Sequence, residues 1–147
     1  MMSFRFLIKF ICTILLVGLL STPSKAQEAE EHLLLASQIH SEPLSRKDVR
    51  KYLSGQKPLW PDGTPVTILL FPKDSKELKW LCKEIIKIPP PTYRRFLMQK
   101  AFRSGINIIE VENQEEAQKV LLGNSGAISP LQNTLLQEEI VELSISK

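Results

Sequence analysis

The chain has 147 residues, 43% of them hydrophobic and 24% charged, with a formal net charge of +3. The surplus lies in the first 26 residues: Arg5, Lys9 and Lys25 account for it, and residues 27–147 hold 16 Lys and Arg against 16 Asp and Glu. A domain that is neutral overall offers no electrostatic case for nucleic acid as a partner, and its length suits one small domain.

In chain order, the opening MMSFRFLIKF carries two cations and no acid, ICTILLVGLL is apolar apart from Thr13 and Gly18, and STPSKAQ places Ser24 and Ala26 at the −3 and −1 positions of a cleavage site. This layout predicts a secretory signal peptide over residues 1–26, a mature domain over 27–147 and a periplasmic location. The competing reading is an uncleaved N-terminal anchor. Cys12 lies inside the apolar run, outside a lipoprotein context. Cys82 alone remains after cleavage, so no intramolecular disulfide is expected, and its neighbours Leu78, Leu81, Ile85 and Ile86 predict an inert, buried thiol.

Residues 28–32 are polar and acid-rich. Leu33 to Ile39 reads as a first strand whose apolar start suits cover on both faces. Ser45 is placed to cap a helix, with Asp48 in its first turn, Leu44 and Val49 as a hydrophobic staple, and Val49, Tyr52 and Leu53 as its apolar face. Gly55 and Pro58 end it. Pro61-Asp62-Gly63 is strong turn chemistry, and Trp60 beside it is expected to pack over the helix–strand junction. Val66 to Phe71 predicts a second strand, ended by Pro72.

Asp74 or Ser75 then caps a helix in which Leu78, Leu81, Cys82, Ile85 and Ile86 follow the i, i+3, i+4, i+7, i+8 pattern. Lys76, Lys79, Lys83 and Lys87 line its other side as a solvated stripe. Pro89-Pro90-Pro91 reads as a stiff break, with Thr92 capping a third helix over 93–104 that Gly105 ends. Ile106 to Val111 is a third strand, and Asn113 with Glu116 starts a fourth helix that stops at Gly123-Asn124. Gly126 to Ser129 reads as a short strand and Ile140 to Ile145 as a terminal one. Strands alternating with helices predict a layered α/β domain.

Three chemistries find little footing in these residues. His40, Ser41 and Glu42 are too close in sequence for a catalytic triad. One mature Cys and two His give no metal-ligand spacing. No cofactor motif is present, so the chain is not expected to be an enzyme or to carry a metal or cofactor.

The stretch LSRKDVRKYLSGQKPLWPDGTPVTILLFPKDS resembles a segment of the phosphate ABC transporter substrate-binding protein family, and in particular its short secreted members with one PBP-like domain. The likeness lies in a helix ending Tyr52-Leu53-Ser54-Gly55, then Trp60-Pro61-Asp62-Gly63, then an apolar strand. Further on, Phe96, Leu97 and Phe102 precede Ser104-Gly105, and Gly126-Ala127-Ile128 follows the family's Gly-Ala-Ile-Gly-Tyr. The resemblance covers residues 33 to 131. It implies a single type-II periplasmic-binding-protein-like lobe, a mixed sheet flanked by helices. It also implies solute binding linked to ABC-type transport, with a small anion such as phosphate as ligand.

The chain departs from that pattern at three points. His40-Ser41-Glu42-Pro43 replaces a Gly-Ser-rich loop. Leu78 stands where an Arg is expected, and Ser129-Pro130 replaces Gly-Tyr. Under the resemblance, the candidate ligand groups are Ser45, Ser75 and Ser125, with hydroxyls near free N–H groups, and Asp74, which could accept from a protonated anion. The alternative is a periplasmic interaction module that kept the fold and lost the ligand site, with a periplasmic or membrane protein as partner.

Overall fold

The computed structural model describes residues 32–39 and 42–146. The expected signal peptide, His40 and Ser41 lie outside the described residues. Among those described, no helix is long and apolar enough to cross a membrane.

Five strands form one mixed sheet: β1 (Leu33–Ser37), β3 (Thr67–Leu70), β4 (Asn107–Glu110), β5 (Ala127–Gln132) and β6 (Val141–Glu142), in the order β4-β3-β5-β1-β6. β3 pairs parallel with both β4 and β5, and β1 runs antiparallel to β5 and β6. All four residues of β3 are buried, as are four of the five in β1. Continuous burial means cover on both faces, which is why these strands read as apolar runs without alternation. A two-residue strand β2 (Leu44–Ser45) pairs parallel with β7 (Ile145–Ser146) in a separate ladder.

Four helices complete the domain: α1 (Arg46–Leu53), α2 (Lys76–Leu81), α3 (Pro90–Ser104) and α4 (Gln114–Gly123). α1 begins as expected: Ser45 Oγ accepts from Asp48 N at 3.1 Å. Asp48 also receives Lys57 Nζ at 2.8 Å and the Ser45 hydroxyl at 2.7 Å. The Lys57 bond, followed by the Ser45 bond, holds the carboxyl down at about 2. α2 passes directly into a wider π-turn, Cys82–Ile86, which ends on Lys87 at φ 66°. Cys82 is buried there, and burial pushes its thiol up to about 11. At neutral pH it is protonated and inert, as its apolar neighbours predicted.

Three expectations need correction. The proline run does not precede α3 but opens it: Pro89 is the N-cap and Pro90 the first helical residue, so Thr92 is not the cap. First-turn N–H groups have no intrahelical acceptor, so proline loses nothing there and brings a helical φ. β5 does not stop at Ser129 but continues through Pro130 to Gln132. β3 pairs with β5 only as far as Ile128. Pro130 therefore costs no ladder bond on that side, while on the other it stands opposite Leu35 of β1. The single C-terminal strand is instead two short ones. β6 pairs with β1, Leu143 N donates to Leu35 O at 2.8 Å, and β7 leaves to pair with β2.

One continuous core joins the elements, from Leu34 and Leu35 of β1 through Trp60, Phe71, Leu78 and Tyr93 to Leu121, Ile128 and Leu143.

Candidate functional site

Registers divide the sheet into two ends. Ser37 stands opposite Ile128, and Thr67 opposite Ala127. The carboxyl end of β1 thus shares one edge with the amino ends of β3 and β5. The carboxyl ends of the parallel trio β3, β4 and β5 lie at the opposite edge.

The amino edge is closed by the two motifs that carried the resemblance. Trp60 is 2% exposed and stacks on Tyr52, with ring centroids 4.5 Å apart. Its Nε1 donates to Gly126 O at 3.0 Å, and Thr67 N donates to the same oxygen at 2.9 Å. The Pro-Asp-Gly turn holds the ring in place. Trp60 N donates to Thr64 O, Gly63 N to Trp60 O, and Asp62 Oδ1 accepts from Thr64 N at 2.9 Å. Gly63 sits at φ +87°, a conformation side chains resist. Gly126 is required for another reason: a Cβ there would lie 1.9 Å from Pro65 O. Trp-Pro-Asp-Gly and Gly-Ala-Ile therefore form one structural bracket, and Trp60 packs as expected.

Beside this bracket lies a cleft of about 790 Å³. Gln38, Glu42, Leu44, Asp62 and Ser125 are among its lining residues. Among the described residues its ionisable lining groups are Glu42 and Asp62, and the backbone bond from Thr64 lowers Asp62 below the usual carboxylate range. The two carboxylates disfavour a bare anion there.

At the carboxyl edge, Asp74 and Ser75 follow β3. Ser75 Oγ accepts from Leu78 N at 3.2 Å as the cap of α2. α4 starts nearby: Asn113 Oδ1 accepts from Glu116 N at 2.9 Å as the cap, and Glu116 Oε2 reaches back to accept from Glu112 N, one residue before the cap, at 2.7 Å. Gln114 ties the elements together, donating to Glu77 Oε1 at 3.0 Å and accepting from Gln132 N at 2.9 Å. A guanidinium reaches this edge from α3. Arg94 Nη1 donates to Phe71 O at 2.9 Å, and Nη2 bonds the Glu110 carboxylate.

Sequence reasoning looked for an Arg three residues after Ser75 and found Leu78, which is buried in the core. It missed Arg94, because no local spacing links residue 94 to a strand end at residue 71. Of the four candidate residues, Asp74 and Ser75 stand together at the carboxyl edge. Ser125 lines the cleft at the amino edge, and Ser45 caps α1 beside Leu44 of that cleft. The fold does not bring the four to one place, and Ser45 and Ser75 each spend a hydroxyl lone pair on a helix cap.

No protein-family model matches the chain, and no curated protein is similar to it in sequence. Its fold does have solved counterparts. A Clostridium perfringens protein assigned as a phosphate ABC transporter substrate-binding protein, solved with phosphate bound, superposes at a TM-score of 0.52 and 11% identity, over 78% of this chain and 45% of its own. An ABC-type phosphate transport receptor from Vibrio cholerae gives 0.51 and 10%, over 80% and 47%. The chain spans about half the length of these proteins. Its mixed sheet and four helices thus have the fold of a single periplasmic-binding-protein-like lobe.

Proposed function

We propose that residues 27–147 form a non-enzymatic periplasmic domain, exported by a signal peptide over residues 1–26, which binds a small anion such as phosphate weakly and descends from solute binding in ABC-type transport. The observation that carries this reading is Arg94. It brings a guanidinium to the carboxyl end of β3, four residues before Ser75, in a fold whose solved counterparts include phosphate receptors. In open α/β sheets, ligands collect at the carboxyl ends of parallel strands, and a planar guanidinium is the group best shaped for an oxyanion.

The same geometry limits affinity. Glu110 already occupies one edge of the Arg94 fork, as a bound anion would. Asp74, Glu77, Glu112 and Glu116 crowd the surrounding helix starts with negative charge. Micromolar binding needs about −8 kcal/mol, whereas a charged hydrogen bond adds about 1.5–3. The dissociation constant for phosphate is therefore expected in the millimolar range or above.

Titration calorimetry of the chain from residue 27 with inorganic phosphate tests this. A saturable but weak isotherm that is lost in Arg94→Gln is the expected result. Absence of heat in wild type and in Glu110→Gln would overturn it. That outcome would favour the second reading, a module that kept the lobe for contacts with a periplasmic or membrane protein. The carboxylate-lined cleft at the amino edge favours that reading specifically.

A further inference from the structure

Charge is distributed unevenly along the domain. Residues 46–104 carry fourteen Lys and Arg against five Asp and Glu, while residues 105–147 carry two against seven. The excess of cations coincides with an apolar surface on α3. That helix contains Arg94, Arg95, Lys100 and Arg103 and no acid, and buries only Tyr93 and Leu97 fully. Its outer side carries Phe96, Met98 and Phe102, with Phe102 94% exposed.

At 3.6 residues per turn, Tyr93, Leu97 and Ala101 form the inward line. Met98 and Phe102, four residues apart, make a ridge on one flank beside Arg95. Phe96 and Arg103 lie on the other flank. A merely solvated helix face is polar or of mixed charge; this one is aromatic and cationic.

The Phe96 flank opens into a groove of about 340 Å³ between α1 and α3. Ile86, Ile88 and Phe96 give it an apolar floor, and its ionisable rim consists of Lys47, Arg50 and Lys51 alongside the buried Tyr93. Arg50 is fixed by a bond from its Nε to Ile85 O at 2.7 Å. Lys51 lies 3.7 Å from Asp48, which is already bonded to Lys57. Lys47 takes part in none of the ion pairs among the described residues. Positive charge on this face is therefore only partly compensated within the domain.

We propose that the α1–α3 face is a peripheral docking surface for an anionic lipid bilayer. Phe96 and Phe102 enter the headgroup boundary from the two borders of the outward arc of α3, Arg95 and Arg103 between them meet lipid phosphates, and Lys47 does so from α1. Aromatic side chains set among Lys and Arg on one helix face are the composition that binds such interfaces. A bilayer is favoured over an acidic protein by the shape of the face. Phe102 projects almost wholly into solvent, and a fluid interface receives such a projection without a matching pocket. The proposal does not rest on the anion-binding reading, since it uses neither Arg94 nor the sheet edges.

The compact unit Glu31–Lys147 contains every described element, so the chain from residue 27 is a sound reagent. It is mixed with vesicles of phosphatidylcholine alone, or of phosphatidylcholine and phosphatidylglycerol in equal parts, and floated on a density gradient. Flotation with the anionic vesicles only, weakening as salt is raised, is expected. Phe102→Ser lowers the partition coefficient roughly tenfold. The double variant Arg95→Gln/Arg103→Gln lowers it about fivefold per charge. Both variants keep the wild-type melting temperature, because the side chains removed are exposed. A chain that stays in the buffer with both vesicle types overturns the proposal, as does a folded Phe102→Ser that floats like wild type. Capture of an acidic protein without vesicle binding would equally defeat it.

Discussion

The two edges of the sheet are held by different means. At the amino edge, the Trp60 ring, the Gly126 carbonyl and the Pro65 carbonyl meet at packing distance, with no room for a single added carbon at residue 126. At the carboxyl edge, elements are tied by long polar side chains: Arg94 to Phe71 and Glu110, and Gln114 to Glu77 and Gln132. A packed bracket resists change because interiors have few voids and deform at high cost. Part-exposed polar ties exchange partners cheaply, because water substitutes for either one. The motifs that carried the resemblance therefore build the rigid edge, while the edge with chemical latitude carries little local signature.

This contrast is open to direct attack. Trp60→Ala is expected to cost the most, about 3–5 kcal/mol, through lost burial and a cavity. Thermal melts check it, and an unchanged midpoint would mean that the ring does not hold the bracket. Gly126→Ala is expected to cost about 1–3 kcal/mol, since Pro65 O must move to admit the methyl. Chemical denaturation reads this as a lower midpoint, and equal stability would show that the two strands shift apart freely.

At the other edge, Glu110→Gln is expected to change stability by no more than about 1 kcal/mol, as the Arg94–Glu110 pair is exposed to solvent. The same variant should bind phosphate more tightly than wild type, because one side of the guanidinium is released. Paired melts and titrations separate the two effects.

The smallest effect is a pH dependence at the start of α1. Asp48 is held at about 2 in the fold against an ordinary 3.8. A depressed carboxyl stabilises the fold fully above its unfolded value, and that contribution disappears as pH falls from about 4 towards 2. Asp48→Asn should flatten this part of the acid limb in melts taken across that range. An acid limb identical in the two proteins would place the dependence in other carboxyls.

Much of the architecture was legible because it follows from local chemistry. The Ser45, Ser75 and Asn113 caps, the stops at Gly55 and Gly105, and the apolar runs of β1 and β3 each express a backbone need that one short segment meets by itself. The failures share a physical cause. Pro130 reads as a strand end until the partner on each side of β5 is known. Residues 140–145 read as one strand because their alternation does not reveal that β1 takes the first part and β2 the second. Prolines 89–91 read as a break because the same residues suit a first helical turn equally well.

By itself, then, the sequence determined an α/β domain, where three of its helices begin, and which side chains it buries, all set by spacing and capping within a few residues. Tertiary structure alone decided the arrangement of the polar groups. It placed Ser125 at one edge and Ser75 at the other, brought Arg94 to the end of a strand that finishes more than twenty residues before it, and gathered the cations of α1 and α3 around the exposed Phe96. These are relations between distant segments, set by strand order and helix packing. Residue spacing along one chain carries no record of them.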